Sequence, residues 1–160
     1  MRNPMPFLLL CALAACDFRA PADVVEQART FPLRAEWTAS IAPVGGAGTV
    51  TGSVNLKEYA GSQIDAEATI AGALPGRAYQ WRIFRGSCTA TAAADLVLFS
   101  TLQAYPDITT DPSGAGKASA LLAGALDPGA GYSLRVRLAV AQTNWNGTAP
   151  LACGDLQHNK

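Results

Sequence analysis

The chain has very few of the side chains that most often carry out chemistry. Its 160 residues include a single histidine, His158, close to the C-terminal end, where chain tails are usually mobile. A serine or cysteine nucleophile is normally activated by a neighbouring histidine, so no such pair is supported. The glycines fall in turn-like clusters with no helix after them, and a phosphate-binding loop is not predicted either. The sequence therefore predicts no catalytic residues.

Charge is also scarce. Charged residues make up 15% of the chain, and 12 lysines and arginines are balanced by 12 aspartates and glutamates, which gives a formal net charge of zero. Domains that bind nucleic acid usually have a strong basic excess, and this chain has none. Hydrophobic residues reach 49%, which is enough for a packed core, and the length suits one domain. We therefore expect a single folded domain that does not bind nucleic acid.

The apolar run near the start of the chain is too short to span a membrane stably. Arg2 is followed by Phe7-Leu8-Leu9-Leu10-Cys11-Ala12-Leu13 and then by Leu13-Ala14-Ala15-Cys16. A positive start, a short apolar segment and small residues before a cleavage point are typical of a secretory signal. The Leu-Ala-Ala-Cys ending resembles the lipobox of bacterial lipoproteins, in which the cysteine receives a diacylglycerol group.

This resemblance predicts that residues 1–15 are a lipoprotein signal peptide and that Cys16 is the lipidation site. The protein would then be anchored by its N-terminal lipid in the bacterial cell envelope, on the periplasmic side of a membrane or at the cell surface. The alternative is an ordinary secretory signal cleaved near Ala15, which would leave Cys16 as an odd free thiol in an oxidising compartment. We expect residues 16–32 to form a tether.

Only four cysteines are present, and two of them belong to this N-terminal segment. Cys11 would leave with the signal peptide and Cys16 would take the lipid, so Cys88 and Cys153 remain. An exported protein with two remaining cysteines most simply forms one disulfide. The alternative is a reduced or metal-binding pair, but two cysteines without nearby histidines do not make a metal site.

After the tether, apolar and polar residues alternate with a period of two, which predicts β-strands. The alternation begins at Leu33, and the predicted strands lie around residues 33–41, 50–56, 64–70, 78–85, 118–123, 132–140 and 151–156. Turn clusters such as Asp111-Pro112-Ser113-Gly114 separate them. Trp37 and Trp81 fall on the apolar faces and are predicted to be core residues.

These seven segments, with a further short apolar run at residues 96–99, give about eight short strands and almost no helix, which predicts an all-β fold. We expect an antiparallel Greek-key β-sandwich or barrel, immunoglobulin-like in its general architecture. The predicted domain covers residues 33–156, and residues 157–160 are predicted to be a tail.

Four short segments carry a resemblance to a known family. They are Gly48-Thr49-Val50-Thr51-Gly52, Gly72-Ala73-Leu74-Pro75-Gly76, Gly86-Ser87-Cys88 and Ala152-Cys153-Gly154. In this order they resemble the copper/zinc superoxide dismutase-like β-sandwich, over roughly residues 33–156. The resemblance implies that fold, with a disulfide between Cys88 and Cys153.

The same resemblance shows where the chain departs from the enzymes. Exported bacterial relatives carry a Trp-His-x-His-x-Gly-x-Cys arrangement, and this chain has Arg82 and Phe84 at the two histidine positions; a third histidine would be expected near Arg137. An imidazole nitrogen binds copper or zinc, whereas a guanidinium has no free lone pair and keeps its charge. We therefore expect no dismutase chemistry of the family type, no metal and no cofactor.

Arg82 and Arg137 would converge in the fold that the resemblance implies. Two neighbouring guanidinium groups are suited to a small anion or a carboxylate, so these residues are the predicted anion-binding site. Two alternatives remain at this point. Both arginines would be solvated on an exposed sheet face, or Asp155 would pair with one of them.

The sequence thus predicts a non-catalytic envelope lipoprotein with a degenerate superoxide dismutase-like domain and a binding or structural role at the membrane surface. Its partners would be the membrane, through the lipid, and an unknown envelope protein or a small anionic ligand. The alternative is a residual metal-binding protein or dismutase-type enzyme with atypical ligands such as Asp95, Asp155 and His158.

Overall fold

The strands predicted from the alternation are present, and they form one antiparallel sheet. The structure, a computed structural model, describes residues 31–45, 48–89, 105–139 and 150–159. Within these ranges there is no helix and there are nine strands: β1 (Leu33–Pro43), β2 (Thr51–Tyr59), β3 (Gln63–Ala71), β4 (Ala78–Arg85), β5 (Ile108–Thr109), β6 (Gly116–Ala123), β7 (Tyr132–Leu138), β8 (Ala152–Asp155) and β9 (Gln157–Asn159). The all-β prediction is confirmed.

The sheet curls until it is nearly closed into a barrel. Its strand order is β5-β4-β7-β8-β1-β2-β3-β6, with β9 paired to β1. The two ends of this path, β5 and β6, approach each other: Gly116 of β6 lies next to Ile108 and Thr109 of β5. Strands β3 and β4 are consecutive in the chain but lie far apart in the sheet, a crossover that is typical of Greek-key topologies. The predicted class, an antiparallel β-sandwich or barrel, is confirmed.

The inward-facing side chains of the strands make the core. Trp37 and Trp81 are both almost fully buried, as predicted. Trp37 packs edge-on against Tyr132, with ring centroids 5.9 Å apart, and Trp81 packs edge-on against Tyr105 at 4.8 Å. The Trp81 indole N–H donates a hydrogen bond to the carbonyl of Pro106 at 2.9 Å, so its one polar atom is satisfied. These contacts join β4 to the segment before β5.

The turn predicted at Asp111-Pro112-Ser113-Gly114 connects β5 to β6. The Asp111 carboxylate accepts hydrogen bonds from the Ser113 hydroxyl at 2.6 Å and from the Ser113 N–H at 2.8 Å. These bonds, first of all the one from the hydroxyl, hold the pKa of Asp111 below its ordinary value. Gly114 has a φ of +79°, and a Cβ there would overlap the carbonyl oxygen of Ala73, so the turn requires glycine at its last position.

The structure differs from the sequence prediction at the C-terminal end of the domain. The sequence placed that end at residue 156, with a tail beyond it that included His158. In the structure Gln157–Asn159 form β9, with His158 opposite Trp37 of β1 and the two rings 4.7 Å apart. Three residues are too few for alternation to be recognised, and the pairing of β9 with β1 is a long-range contact that alternation does not reveal. The strand β5 could not be predicted either, because it has only two residues.

Several sequence predictions lie outside the described residues. They are the signal peptide at residues 1–15, the lipidation site Cys16, the part of the tether up to residue 30, and Asp95. They stay predictions. Where the structure is described, no helix has the length and apolar character needed to cross a membrane.

Gly52 lies in one of the segments that carry the family resemblance, and the sheet explains why glycine is needed there. Its position in β2 is so close to β3 that a Cβ would overlap the carbonyl oxygen of Thr69 and contact the Cα of Ile70 at 3.0 Å. Both neighbours are backbone atoms, so a side chain at residue 52 has to push the strands apart.

We expect Gly52→Ala to lower the free energy of unfolding by about 2 kcal/mol, the usual size of an overpacking effect. Urea unfolding followed by circular dichroism measures it. Gly131→Ala is the matched control, because no heavy atom lies within 4 Å of a Cβ at that position. Equal effects of the two substitutions would contradict the close approach of β2 and β3.

Candidate functional site

The candidate site is the outer face of β4 and β7, where alternation turns the polar side chains away from the core. Directly opposite each other in the antiparallel register are three pairs: Gln80 and Arg137, Arg82 and Arg135, Phe84 and Ser133. Residues paired in this way have Cβ atoms about 5 Å apart. We call these six positions the arginine face. Half of them are arginines, and none is a carboxylate.

Arg82 and Arg137, the predicted anion-binding residues, are diagonal neighbours on the arginine face. The Arg137 side chain is only 2% exposed. Burial, and after it the positive charge of Arg82, lowers the pKa of Arg137 below the ordinary value of an arginine. The two charges are therefore close enough to repel each other. The structure brings the two residues together as expected, and the interpretation of Arg137 as solvated on an exposed face is wrong.

Gln80 binds the guanidinium of Arg137 from the opposite strand. Its side-chain oxygen Oε1 accepts hydrogen bonds from Nε of Arg137 at 2.9 Å and from Nη2 at 2.7 Å. Gln80 was not predicted to be a site residue. The available signal is its position two residues before Arg82, which places both side chains on the same face of β4.

Arg135 connects the arginine face to the segment that follows β4. Its Nη2 donates a hydrogen bond to the carbonyl of Ser87 at 3.1 Å. Its guanidinium carbon lies 5.2 Å from the centroid of the Phe84 ring, a cation–π geometry. Phe84 is buried, and sequence analysis also missed the role of Arg135.

The predicted disulfide between Cys88 and Cys153 is present and fixes the same segment to β8. The Cys88 N–H also donates a hydrogen bond to Oδ1 of Asp155 at 2.6 Å. Pairing of Asp155 with an arginine was one alternative from the sequence, and in the structure Asp155 accepts this bond from the backbone of Cys88. A further bond runs from the Gly86 N–H to the carbonyl of Gly131 at 2.8 Å. The edge of the arginine face is thus held by one covalent and several polar contacts.

Ser133 is a polar residue of the arginine face that is fully buried. Its hydroxyl has no hydrogen-bond partner in the part of the chain that the structure describes. A buried hydroxyl without a partner is costly, usually by about 1–3 kcal/mol. The arginine face therefore contains a hydroxyl, two residues from Arg135 in β7, that forms no hydrogen bond within the described residues.

The residues at the metal positions implied by the resemblance do not fit copper or zinc. Arg82 and Arg137 offer no lone pair, and Phe84 has no donor atom at all. These three side chains therefore could not ligate copper or zinc.

Of the atypical ligands considered from the sequence, Asp155 and His158 lie among the described residues, and each makes another contact. His158 of β9 packs against Trp37 of β1, and Asp155 accepts a hydrogen bond from the Cys88 N–H. Asp95 lies outside the described residues. Among residues 31–45, 48–89, 105–139 and 150–159, no three His, Cys, Asp or Glu side chains group in a way that could hold a metal ion.

No protein-family model matches this chain, and neither does any curated protein. The superoxide dismutase-like resemblance therefore stays a prediction from the sequence segments, while the antiparallel β-barrel or sandwich class is shown by the structure.

Proposed function

We propose that this protein is a non-catalytic, lipid-anchored module of the bacterial cell envelope, whose degenerate superoxide dismutase-like domain binds a small oxyanion through Arg82 and Arg137. One observation carries the proposal: two guanidinium groups share one sheet face, and the one that is 2% exposed has its pKa lowered by burial and by the other.

An oxyanion suits this arrangement for a physical reason. Two like charges repel, and a buried guanidinium loses part of its hydration. An oxyanion near Arg82 and Arg137 would be attracted by both positive charges. The planar N–H array of arginine matches carboxylate and phosphate oxygens, and such charge-assisted hydrogen bonds are stronger than neutral ones.

The distribution of charge in the sheet supports the same proposal. The zero net charge of the chain hides a separation of signs between strands. Strands β4 and β7 contain four arginines and no acidic residue: Arg82, Arg85, Arg135 and Arg137. Strands β2 and β3 contain one cation, Lys57, and three carboxylates: Glu58, Asp65 and Glu67. An anion would be attracted to the β4–β7 side of the domain.

The test is a calorimetric titration of the full-length mature protein, purified in detergent, with inorganic phosphate and with acetate. We expect the double variant Arg82→Gln/Arg137→Gln to bind the preferred anion at least 10-fold more weakly than the wild type, because each charge-assisted contact contributes about 1.5–3 kcal/mol. The single variant Arg82→Gln, in which the buried Arg137 is retained, should already show most of the loss.

Arg34→Gln is the matched control, since Arg34 is exposed on β1 and lies outside the arginine face. It should bind like the wild type. Binding of neither anion by the wild type at millimolar concentration, or equal binding by the wild type and a folded double variant, would refute the proposed function.

A further inference from the structure

We propose that the domain docks on a phospholipid bilayer through Phe31, Leu33 and Arg34, at the end of the barrel where the tether enters β1. The partner is the surface of the membrane that holds the N-terminal lipid. This inference rests on the lipid anchor of the proposed function and is independent of the oxyanion site.

Two large apolar side chains are exposed where the chain enters the barrel. Phe31 is 43% exposed and Leu33 is 51% exposed, and they are only two positions apart in the chain. Single exposed apolar residues are common on protein surfaces, whereas apolar residues that lie together mark an interaction site. The start of β1 is therefore a candidate contact surface.

A β-bulge at the start of β1 turns Leu33 away from the core. Ala35 is opposite Glu58 and Leu33 is opposite Tyr59, so Arg34 is an extra residue in β1. Ala35 packs against the core, and in a regular strand Leu33 would point the same way. Residues directly opposite each other lie on the same face of a sheet, so Leu33 shares the face of Tyr59. Bulges re-aim side chains in this manner, and here the result is an exposed leucine.

The segment that carries Phe31 is fixed to the barrel. The Phe31 ring lies against the turn between β2 and β3, because a Cβ at Gly61 would be 3.9 Å from three of its atoms. The Ala60 N–H of the same turn donates a hydrogen bond to the carbonyl of Pro32 at 2.9 Å. The point at which the tether joins the domain therefore has a defined position relative to the sheet.

The length of the tether favours a bilayer as the occupant of this surface. Cys16 and Phe31 are 15 positions apart in the chain, and a segment of that length spans at most about 50 Å when fully extended. Two apolar side chains are too few to hold a protein on a membrane, but a weak contact and a lipid together give stable attachment. A lipid at Cys16 would make the second contact intramolecular, at the high effective concentration that a short linker provides.

Exposed arginines at the same end of the barrel suit phosphate head groups. Arg34 is exposed beside Leu33, and Arg85, the last residue of β4, is exposed as well. The neighbouring strands β1, β8, β7 and β4 are antiparallel in turn, so β4 ends where β1 begins. Arginines near a membrane surface are attracted to anionic lipids, and the guanidinium group matches phosphate oxygens.

Spin-label measurements on the full-length mature lipoprotein test the docking. The protein is reconstituted in vesicles of phosphatidylethanolamine and phosphatidylglycerol, with a nitroxide attached to Leu33→Cys. Leu74→Cys is the matched control, because Leu74 is 61% exposed and follows the end of β3, at the opposite end of the barrel. Cys88 and Cys153 are joined in the disulfide and Cys16 would carry the lipid, so the label reacts with the introduced cysteine.

The label at residue 33 should contact the bilayer. Oxygen concentrates in the lipid and a nickel chelate stays in water, so the ratio of their collision rates with the label reports depth. We expect this ratio to be at least about fivefold higher at residue 33 than at residue 74, because only the first position meets acyl chains. Phe31→Ser with Arg34→Gln, made in the labelled Leu33→Cys protein, should lower the ratio towards the value at residue 74. The melting temperature should not change, because both replaced side chains are exposed.

The outcomes separate the docking from the anchor. If the protein floats with the vesicles but the ratios at residues 33 and 74 are equal, the docking is overturned and the anchor stands. Poor access of both oxygen and the nickel chelate to residue 33 also overturns the docking, because protein and not lipid then covers the label. If the wild type does not float with the vesicles, the lipid anchor of the proposed function fails and the docking fails with it.

Discussion

Replacing Cys88 and Cys153 together by serine is expected to lower the free energy of unfolding by about 4 kcal/mol. The disulfide joins residues that are 65 positions apart, and the chain-entropy model assigns a stabilisation of this size to a loop of that length. In a domain of about 125 residues the same change lowers the melting temperature by about 15 °C. The chain reaches the second cysteine only after β5, β6 and β7, so the unfolded state loses much of its freedom when the bond is present.

Urea unfolding of the oxidised wild type, the dithiothreitol-reduced wild type and the double serine variant measures this effect. The reduced wild type and the double serine variant should unfold at the same urea concentration, because both lack the disulfide. Their agreement would show that the serine substitutions themselves have little effect. Ser87→Ala is the matched control within the loop. Among the described residues, the Ser87 hydroxyl forms a hydrogen bond only with the Thr89 hydroxyl, at 2.9 Å, whereas the contact to Arg135 uses the Ser87 backbone. Unfolding of reduced and oxidised wild type at the same urea concentration would contradict the prediction.

Most of the sheet could be predicted from the sequence because one face of nearly every long strand is buried. In β3, for example, Ile64, Ala66, Ala68 and Ile70 are all fully buried, and the residues between them are not. This difference in burial appears in the sequence as alternating apolar and polar residues. The disulfide could be predicted by counting cysteines, since the pairing of Cys88 with Cys153 does not depend on details of geometry.

The candidate site could be predicted only in part. Alternation places Arg82 and Arg137 on outward faces, but it does not show what covers a face, and so it could not foresee that Arg137 is 2% exposed. The role of Gln80 depends on the register of β4 against β7, in which residue 80 is opposite residue 137. Register is set by long-range pairing of the strands. The same limit explains why β9 was missed, because its pairing with β1 is also long-range.

Trp81→Ala is expected to lower the free energy of unfolding by about 4 kcal/mol, the typical cost of removing a buried tryptophan. Trp81 has no exposed surface, packs edge-on against Tyr105, and binds the carbonyl of Pro106. Its removal leaves a cavity at the point where β4 meets the segment before β5. Burial also raises the pKa of the Tyr105 phenol, and we expect this shift to decrease when water can enter the cavity.

Trp81→Phe is the matched control because it keeps an aromatic ring in the core and removes the indole N–H. We expect it to cost about 1–2 kcal/mol, since the carbonyl of Pro106 then loses its donor. Urea unfolding followed by far-UV circular dichroism gives both values without relying on tryptophan fluorescence. Because Trp81 lies between Gln80 and Arg82 in β4, the alanine variant should also weaken oxyanion binding more than the phenylalanine variant does. Equal stability of the two variants would show that the packing against Tyr105 does not hold β4 in place.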